Sequence, residues 1–296
     1  HPHNKISNIQ RKIMTTIGSS NIFNIAIEGS FDDCQKIVKD MFNENNFRKK
    51  INMSGVNSIN WARIICQIVY YFYATFKIGK NNISFSVPTG NFGDIYAGYM
   101  AKKMGLPIDK LIVATNENDI LQRVINTGEY KPSTVKPSLS PSMDIQISSN
   151  FERLLFDILD KDDKKVASLM RDLTTKGFFK LDQEVVKIIK KDFCAEKIND
   201  DETLSIIKEF NSDLKFILDP HTATAFGAVN KIRNLSEIIV LGTAHPYKFL
   251  ETVKKATGIE VKAPPQLLNI VDKEERFDIL ESNISKIKNY ILEKIL

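Results

Sequence analysis

Apolar positions along the chain recur with two periods, and the switches between them divide it into strands and helices. Phe31, Cys34, Ile37, Val38 and Met41 fall at spacings of three and four, which predicts a helix with one buried stripe. Ser30 stands at its N-cap, with Asp32 and Asp33 in the first turn, where the helix dipole favours carboxylates. The same acid pair could also serve in general acid–base chemistry. Ser7 to Ile17 reads as a helix opened by a Ser7–Gln10 capping box and ended by Gly18. Ile22 to Ile27 reads as a strand. Trp61 to Lys77 is a long helix, apolar on every side from Ile64 to Phe76 apart from Gln67, a pattern that predicts burial all round.

Ile83-Ser84-Phe85 and Leu111 to Ala114 are short β-prone runs. The helix Ile95 to Met104 lies between them, and a second helix runs from Asn118 to about Asn126, stopped by Gly128. Two apolar strands separated by a helix form a βαβ unit, so the fold class is α/β with a parallel sheet. Ile238 to Leu241 is a third buried strand, followed by Gly242-Thr243-Ala244-His245-Pro246 and a helix. Residues 127–146 are rich in Pro and Ser and read as an irregular loop, of a length that is often functional. Ser149 to Asn211 is mostly helical, with charge runs that read as solvated faces. The tail from Asp272 to Leu296 reads as one amphipathic helix, with Ile284, Ile287, Ile291 and Ile295 on a face that packs on the body or on a second subunit.

Composition narrows the function classes. The chain has 296 residues, 43% hydrophobic and 26% charged, enough to build a sizeable core. Its net charge of +5 is spread among Asp and Glu, with no basic, aromatic-interleaved patch, which disfavours nucleic acid. The longest apolar run, Ile64 to Phe76, falls short of the ~20 residues a membrane span needs. Its 3 cysteines, Cys34, Cys66 and Cys194, lack metal-site spacing and fit a reduced, cytoplasmic setting. No leader peptide and no metal site are expected.

The stretch Ser86-Val87-Pro88-Thr89-Gly90-Asn91-Phe92-Gly93-Asp94 carries the candidate chemistry. It joins a strand to a helix, and the first amides of a helix lack internal partners and sit at its positive end. Glycines at Gly90 and Gly93 let a ligand approach the backbone, so the loop can cradle a phosphate. The plain alternative is a strand-to-helix turn with Asp94 as N-cap. Asn57-Ser58-Ile59-Asn60 before the Trp61 helix is a second potential anion site, with Arg63 able to match a phosphate; alternatively Asn60 only caps and Arg63 is surface-paired. His221 is a candidate acid or base, or a structural residue of its turn.

Several of these stretches resemble threonine synthase. They include Ile27 to Gln35, Asn57 to Arg63, Ser86 to Leu121, Ser140-Pro141-Ser142-Met143-Asp144 and Gly242-Thr243-Ala244-His245-Pro246, in one order from about Ile6 to about Val253. Ile217 to Gly227, with its Asp219-Pro220-His221 turn, belongs to the same set. The resemblance implies a pyridoxal-phosphate (PLP) enzyme of the tryptophan synthase β-like fold, converting O-phosphohomoserine to threonine. It implies PLP held by Gly90, Asn91, Phe92, Gly93 and Asp94, with its ring near Asn91 and Phe92 and its nitrogen on the Thr243 hydroxyl. Alternatively Thr243 is a helix N-cap. It places Ser58, Asn60 and Arg63 beside substrate, and it brings Ser140, Ser142 and Asp144 towards the cleft. The family's Schiff-base lysine, and the Ser-Gly-Asp-Thr-Gly stretch that follows it, match nothing here. The chain is therefore expected to be the C-terminal two-thirds of the enzyme, without its catalytic lysine and inactive alone, with a separate N-terminal fragment as a possible partner and a monomeric or homodimeric state. The expected domains are residues 1–79, the remainder of a small α/β domain; 80–271, a large PLP-binding domain with a helical insertion at about 149–212; and 272–296, a terminal helix. A catalytically silent remnant that binds phosphate ligands, or a sister PLP lyase or dehydratase, are the alternatives.

Overall fold

The computed structural model describes residues 1–6, 8–235 and 237–295, and the side chains among them except those of Phe31, Asp32 and Gln35. The capping box expected at Ser7, and the Asp32 carboxylate, lie outside the described residues. The strands are β1 (Ile25–Glu28), β2 (Ile83–Pro88), β3 (Ile108–Thr115), β4 (Glu129–Tyr130), β5 (Phe179–Lys180), β6 (Phe193–Lys197), β7 (Ile238–Val240) and β8 (Asp278–Glu281). The α-helices are α1 (Asn8–Thr15), α2 (Phe31–Asn43), α3 (Asn45–Lys50), α4 (Trp61–Ile78), α5 (Gly93–Lys103), α6 (Ile120–Thr127), α7 (Phe151–Ile158), α8 (Asp163–Lys176), α9 (Gln183–Asp192), α10 (Asp200–Leu214), α11 (Pro220–Lys231), α12 (Leu250–Thr257) and α13 (Ile284–Ile295). They fall into two compact units, residues 1–55 with 262–296, and residues 56–261. The division differs from the expected one: α4 goes with the larger unit, and the chain from 262 onward with the smaller.

In the smaller unit β1 pairs in parallel with β8, Ala26 opposite Ile279. The tail is thus a strand and a helix where one long helix was expected. Pairing with β1 claims residues 278–281, and Asn283 then restarts the chain as a helix by accepting from the amides of Ser285 and Lys286, at 3.0 and 3.2 Å. Ser30 caps α2 in a reciprocal box, its Oγ accepting from the Asp33 amide while the Asp33 carboxylate accepts from the Ser30 amide. The core is Ile27, Ile37, Met41, Phe47 and Ile287, with Ile284 and Ile291 packed against it.

The larger unit is built on a four-stranded parallel sheet in the order β6-β3-β2-β7. Alternation along the strands sends residues to opposite faces. Phe85, Val87, Leu111 and Val113 join the core that also holds Tyr71 of α4 and Ile95 of α5. Ile112 and Ala114 pack with Ala225 and Ala228 of α11 on the other face. Ser86 points the same way, its Oγ donating to the Ala225 carbonyl at 2.8 Å. The parallel sheet with helices on both faces is the expected class. Strand β6 was not expected, since it lies inside a stretch read as helical. Its signal was the buried alternation of Phe193 and Ala195, and it forms because the β3 edge offers a ladder to complete.

Helix α5 approaches the sheet and α4 through Gly98. A methyl group there would stand 2.5 Å from Cε1 of Tyr71 and 2.8 Å from Cδ2 of Leu111, both fully buried. Gly98→Ala is therefore expected to destabilise. Overpacking costs about 1–3 kcal/mol, and the better helix propensity of Ala offsets about 1 kcal/mol of it. Urea unfolding checks this: the midpoint should fall at unchanged slope, and a midpoint at or above the parent's would mean that Tyr71 moves aside freely.

Candidate functional site

Where β2 and β7 end, the larger unit opens a cavity of about 580 Å³. Ligands of parallel α/β sheets sit beyond the carboxyl ends of the strands, and this cavity does. Its floor is the turn from β2 to α5. Pro88 closes the strand, and Thr89 anchors the turn through its amide to Ala114 O at 2.8 Å and its Oγ1 to Val87 O at 2.6 Å. The next carbonyls face residues 148–150. Ser148 Oγ donates to Gly90 O at 2.8 Å, and the amide and side chain of Asn150 donate to Asn91 O at 3.1 and 2.9 Å. With the carbonyls tied back, the amides are left over. Among the described residues no acceptor pairs with the amides of Gly90, Asn91, Phe92 or Gly93, and all four residues line the cavity.

Phe92 has φ 62°, left-handed for a residue with a side chain, and it is the N-cap of α5. A conformation of this kind costs on the order of 1–3 kcal/mol and persists only where packing fixes it. Here the ring is buried against Phe151 and Phe193, centroids 5.4 and 5.6 Å away. The ring therefore belongs to the core, and what Phe92 offers the cavity is backbone. Asp94 is not the N-cap that the plainer reading made it. It sits in the first turn of α5, where Tyr71 Oη donates to its Oδ1 at 3.2 Å and to its carbonyl at 2.9 Å. Burial lifts its carboxyl to about 6, against the smaller opposing effect of the Tyr71 bond. The same burial, with Asp94 beside it, pushes the Tyr71 phenol well above its ordinary value.

The facing wall is Leu241 to Ala244 with Lys248 and Phe249. Thr243 lines the cavity and is exposed within it, and it caps no helix: His245 does, its Nδ1 accepting from the Tyr247 amide at 3.1 Å. A third side is Ser58, Arg63, Gln67 and Tyr70. Asn60 instead caps α4 from outside the cavity lining, its Oδ1 accepting from Ala62 N at 2.9 Å. Arg63 Nη1 donates to Val56 O at 3.1 Å. Orphaned amides, a helix N-terminus, Arg63 and Lys248 make this a cavity for a phosphorylated or carboxylated ligand.

The family model for the C-terminal part of threonine synthase matches residues 222–291. The threonine synthase of Pseudomonas aeruginosa is 46% identical over 98% of this chain and 63% of its own length, and that of Saccharomyces cerevisiae is 40% identical over 100% and 63%. The PLP-bound threonine synthase of Brucella melitensis superposes with a TM-score of 0.96 at 44% identity, over 99% of this chain and 64% of that one. Over nearly its whole length the chain is similar to these threonine synthases. It spans a little under two thirds of the length of these relatives.

Within this threonine synthase fold His221 acts as a brace. It is buried, and its Nε2 accepts from the Ser142 amide at 3.3 Å while Nδ1 lies 3.1 Å from Asp219 Oδ1. An imidazole that accepts at Nε2 carries its proton on Nδ1, so Nδ1 donates to the carboxylate and the ring is neutral. Asp219 also accepts from the amides of His221 and Thr222 and from the Thr222 hydroxyl, capping α11. Of the loop residues expected near the cleft, Ser142 lines the cavity, whereas Ser140 and Asp144 do not. Asp144 accepts from Asn116 and Asn118 Nδ2 at 2.8 and 3.0 Å and from Ser138 Oγ at 2.6 Å, and so folds the loop onto the end of β3. Gln67, Tyr70 and Lys248 were missed. Gln67 had a visible signal, a lone polar residue in an apolar run; Lys248 had none.

Proposed function

We propose that the cavity holds PLP and that the chain carries the greater part of a threonine synthase, which converts O-phospho-L-homoserine and water to L-threonine and phosphate. The observation that supports this most directly is the set of orphaned amides at Gly90 to Gly93 over the N-terminus of α5, a fit for a phosphoryl group. The Thr243 hydroxyl, unpaired among the described residues and on the facing wall, would donate to the ring nitrogen. A neutral hydroxyl there leaves the nitrogen unprotonated, where an acid would hold a pyridinium. When bound, PLP supplies the electron sink that allows loss of phosphate from the substrate's γ-carbon and addition of water at the β-carbon. The residues of this chain bind and orient. Gly90 to Gly93 fix the phosphoryl tail, Thr243 sets the ring, and Ser58 and Arg63 offer donors to the substrate's own phosphate. Asn60 supports them by starting α4.

A cytoplasmic setting goes with this reading, supported by free thiols at Cys34, Cys66 and Cys194. Among the described residues no helix is long and apolar enough to cross a membrane. Titration of the purified chain with PLP, followed by ligand fluorescence, tests the site. The expected result is saturable binding at one equivalent, competed by inorganic phosphate, and no threonine formed from O-phosphohomoserine until the remaining third of a relative is added. Binding that phosphate does not compete, or that a Thr243→Val, Arg63→Ala chain retains in full, would remove the cavity from the account.

A further inference from the structure

Three side chains of α4 line the cavity: Arg63, Gln67 and Tyr70. They stand four and three residues apart, so they form one polar stripe along the helix, beside the buried apolar face of Ile64, Ile68 and Tyr71. Arg63 Nη1 is committed to Val56 O, while its Nε and Nη2 have no partner among the described residues. The Gln67 carboxamide and the Tyr70 hydroxyl have none either. The stripe adjoins the turn that begins α5: a methyl group on Gly93 would stand 3.8 Å from Gln67 Oε1 and 3.5 Å from Ser58 O. It carries a cation, an amide and a phenol, and no acid.

A ligand that fills this cavity displaces water from these groups, and any polar group then left unmet weakens binding. An arginine fork accommodates two oxygens of a carboxylate or of a phosphate equally well, so Arg63 alone does not tell them apart. A phosphate monoester is tetrahedral and presents a third terminal oxygen out of the plane of the fork. A planar carboxylate has no atom there. Neutral donors one and two turns along the same helix face are placed to meet that oxygen.

We propose that Gln67 and Tyr70 are specificity-determining residues that select a phosphate monoester over a carboxylate. With Arg63 on two oxygens of the substrate's phosphate, the Gln67 amide and the Tyr70 hydroxyl donate to the third. The proposal rests on the reading that the cavity holds PLP on the Gly90 to Gly93 amides and takes O-phosphohomoserine beside it. It adds the reason why an acidic amino acid of the same length is refused.

The test compares two probes in the PLP-saturated chain at pH 8 by titration calorimetry. One is the phosphonate isostere of O-phosphohomoserine, with CH2 in place of the ester oxygen. The other is L-aminoadipate, identical except that a carboxylate replaces the phosphonate. The parent is expected to prefer the phosphonate by about tenfold or more, and Gln67→Leu with Tyr70→Phe to remove that preference through the phosphonate alone. Gln67→Glu sets a carboxylate against the third oxygen and should reverse the preference. Unfolding midpoints equal to the parent's show that the variants fold. A preference retained in the double variant overturns the proposal, because Arg63 or Lys248 would then make the distinction. So does an equal loss for both probes, which would mean that the two residues only shape the helix, and so does a PLP-loaded parent that binds neither probe. A parent that takes up no PLP yet prefers the phosphonate through Gln67 and Tyr70 would retire the cofactor reading and leave the stripe standing.

Discussion

Asp94→Asn raises the stability of the chain at pH 8 by up to about 3 kcal/mol and leaves it unchanged near pH 3.5. The size follows from a carboxyl lifted from 3.8 to about 6, at about 1.4 kcal/mol for each unit. The sign follows from linkage. A carboxyl whose folded value exceeds its unfolded one binds more protons folded than unfolded between about pH 4 and 6. Stability therefore falls as pH rises through that window and stays low above it. Tyr71 is the titratable neighbour, and with its phenol pushed well above the ordinary value it stays neutral throughout. Asparagine keeps an acceptor for Tyr71 Oη and carries no charge, so the variant's profile should be flat where the parent's slopes. The same exchange removes a negative charge from the first turn of a helix whose amides face the cavity. Affinity for inorganic phosphate at pH 8 is thus expected to rise several-fold, with little change at pH 5. Parallel stability profiles for parent and variant between pH 4 and 7 would show that the Asp94 carboxylate is hydrated in the fold.

Much of this site was legible because its chemistry lies in local backbone geometry. Pro88, Gly90 and Gly93 announce a strand, a turn and a helix start, and that junction alone creates the orphaned amides. Other parts depended on partners distant in sequence. Nothing near Asp94 says that Tyr71 approaches it from another helix, and nothing near His221 says that its second nitrogen meets the amide of Ser142, across 79 residues. The all-round apolar pattern of α4 was read as burial on every side, yet only one side meets this chain. The tail failed differently: residues 278–281 have helix-compatible spacing, but pairing with β1 satisfies more backbone groups than an extra helical turn would. The Phe92 side chain turns towards Phe151 and Phe193 on a left-handed backbone that is invisible in sequence.

Gly90→Ala is expected to lower PLP affinity by about 10- to 100-fold, roughly 1.4–2.8 kcal/mol. The added methyl group would stand 2.8 Å from Ser142 O, 3.2 Å from Met143 Cα and 3.3 Å from Cγ1 of Ile145. Two of these are backbone atoms, and they are held. The Ser142 amide donates to His221, His221 donates to Asp219, and Asp219 is fixed at the cap of α11. The turn must then give way, and with it the aim of the amides. The brace supplies the control. His221→Ala frees the Ser142 segment to retreat, so the double variant should bind PLP more tightly than the sum of the two single losses allows, because residues that share a strained contact are not additive. Strict additivity would show that the clash is relieved elsewhere. Full affinity in Gly90→Ala itself would mean that the amides at this turn do not carry the phosphoryl group, and the ligand would have to be sought at Arg63 and Lys248 instead.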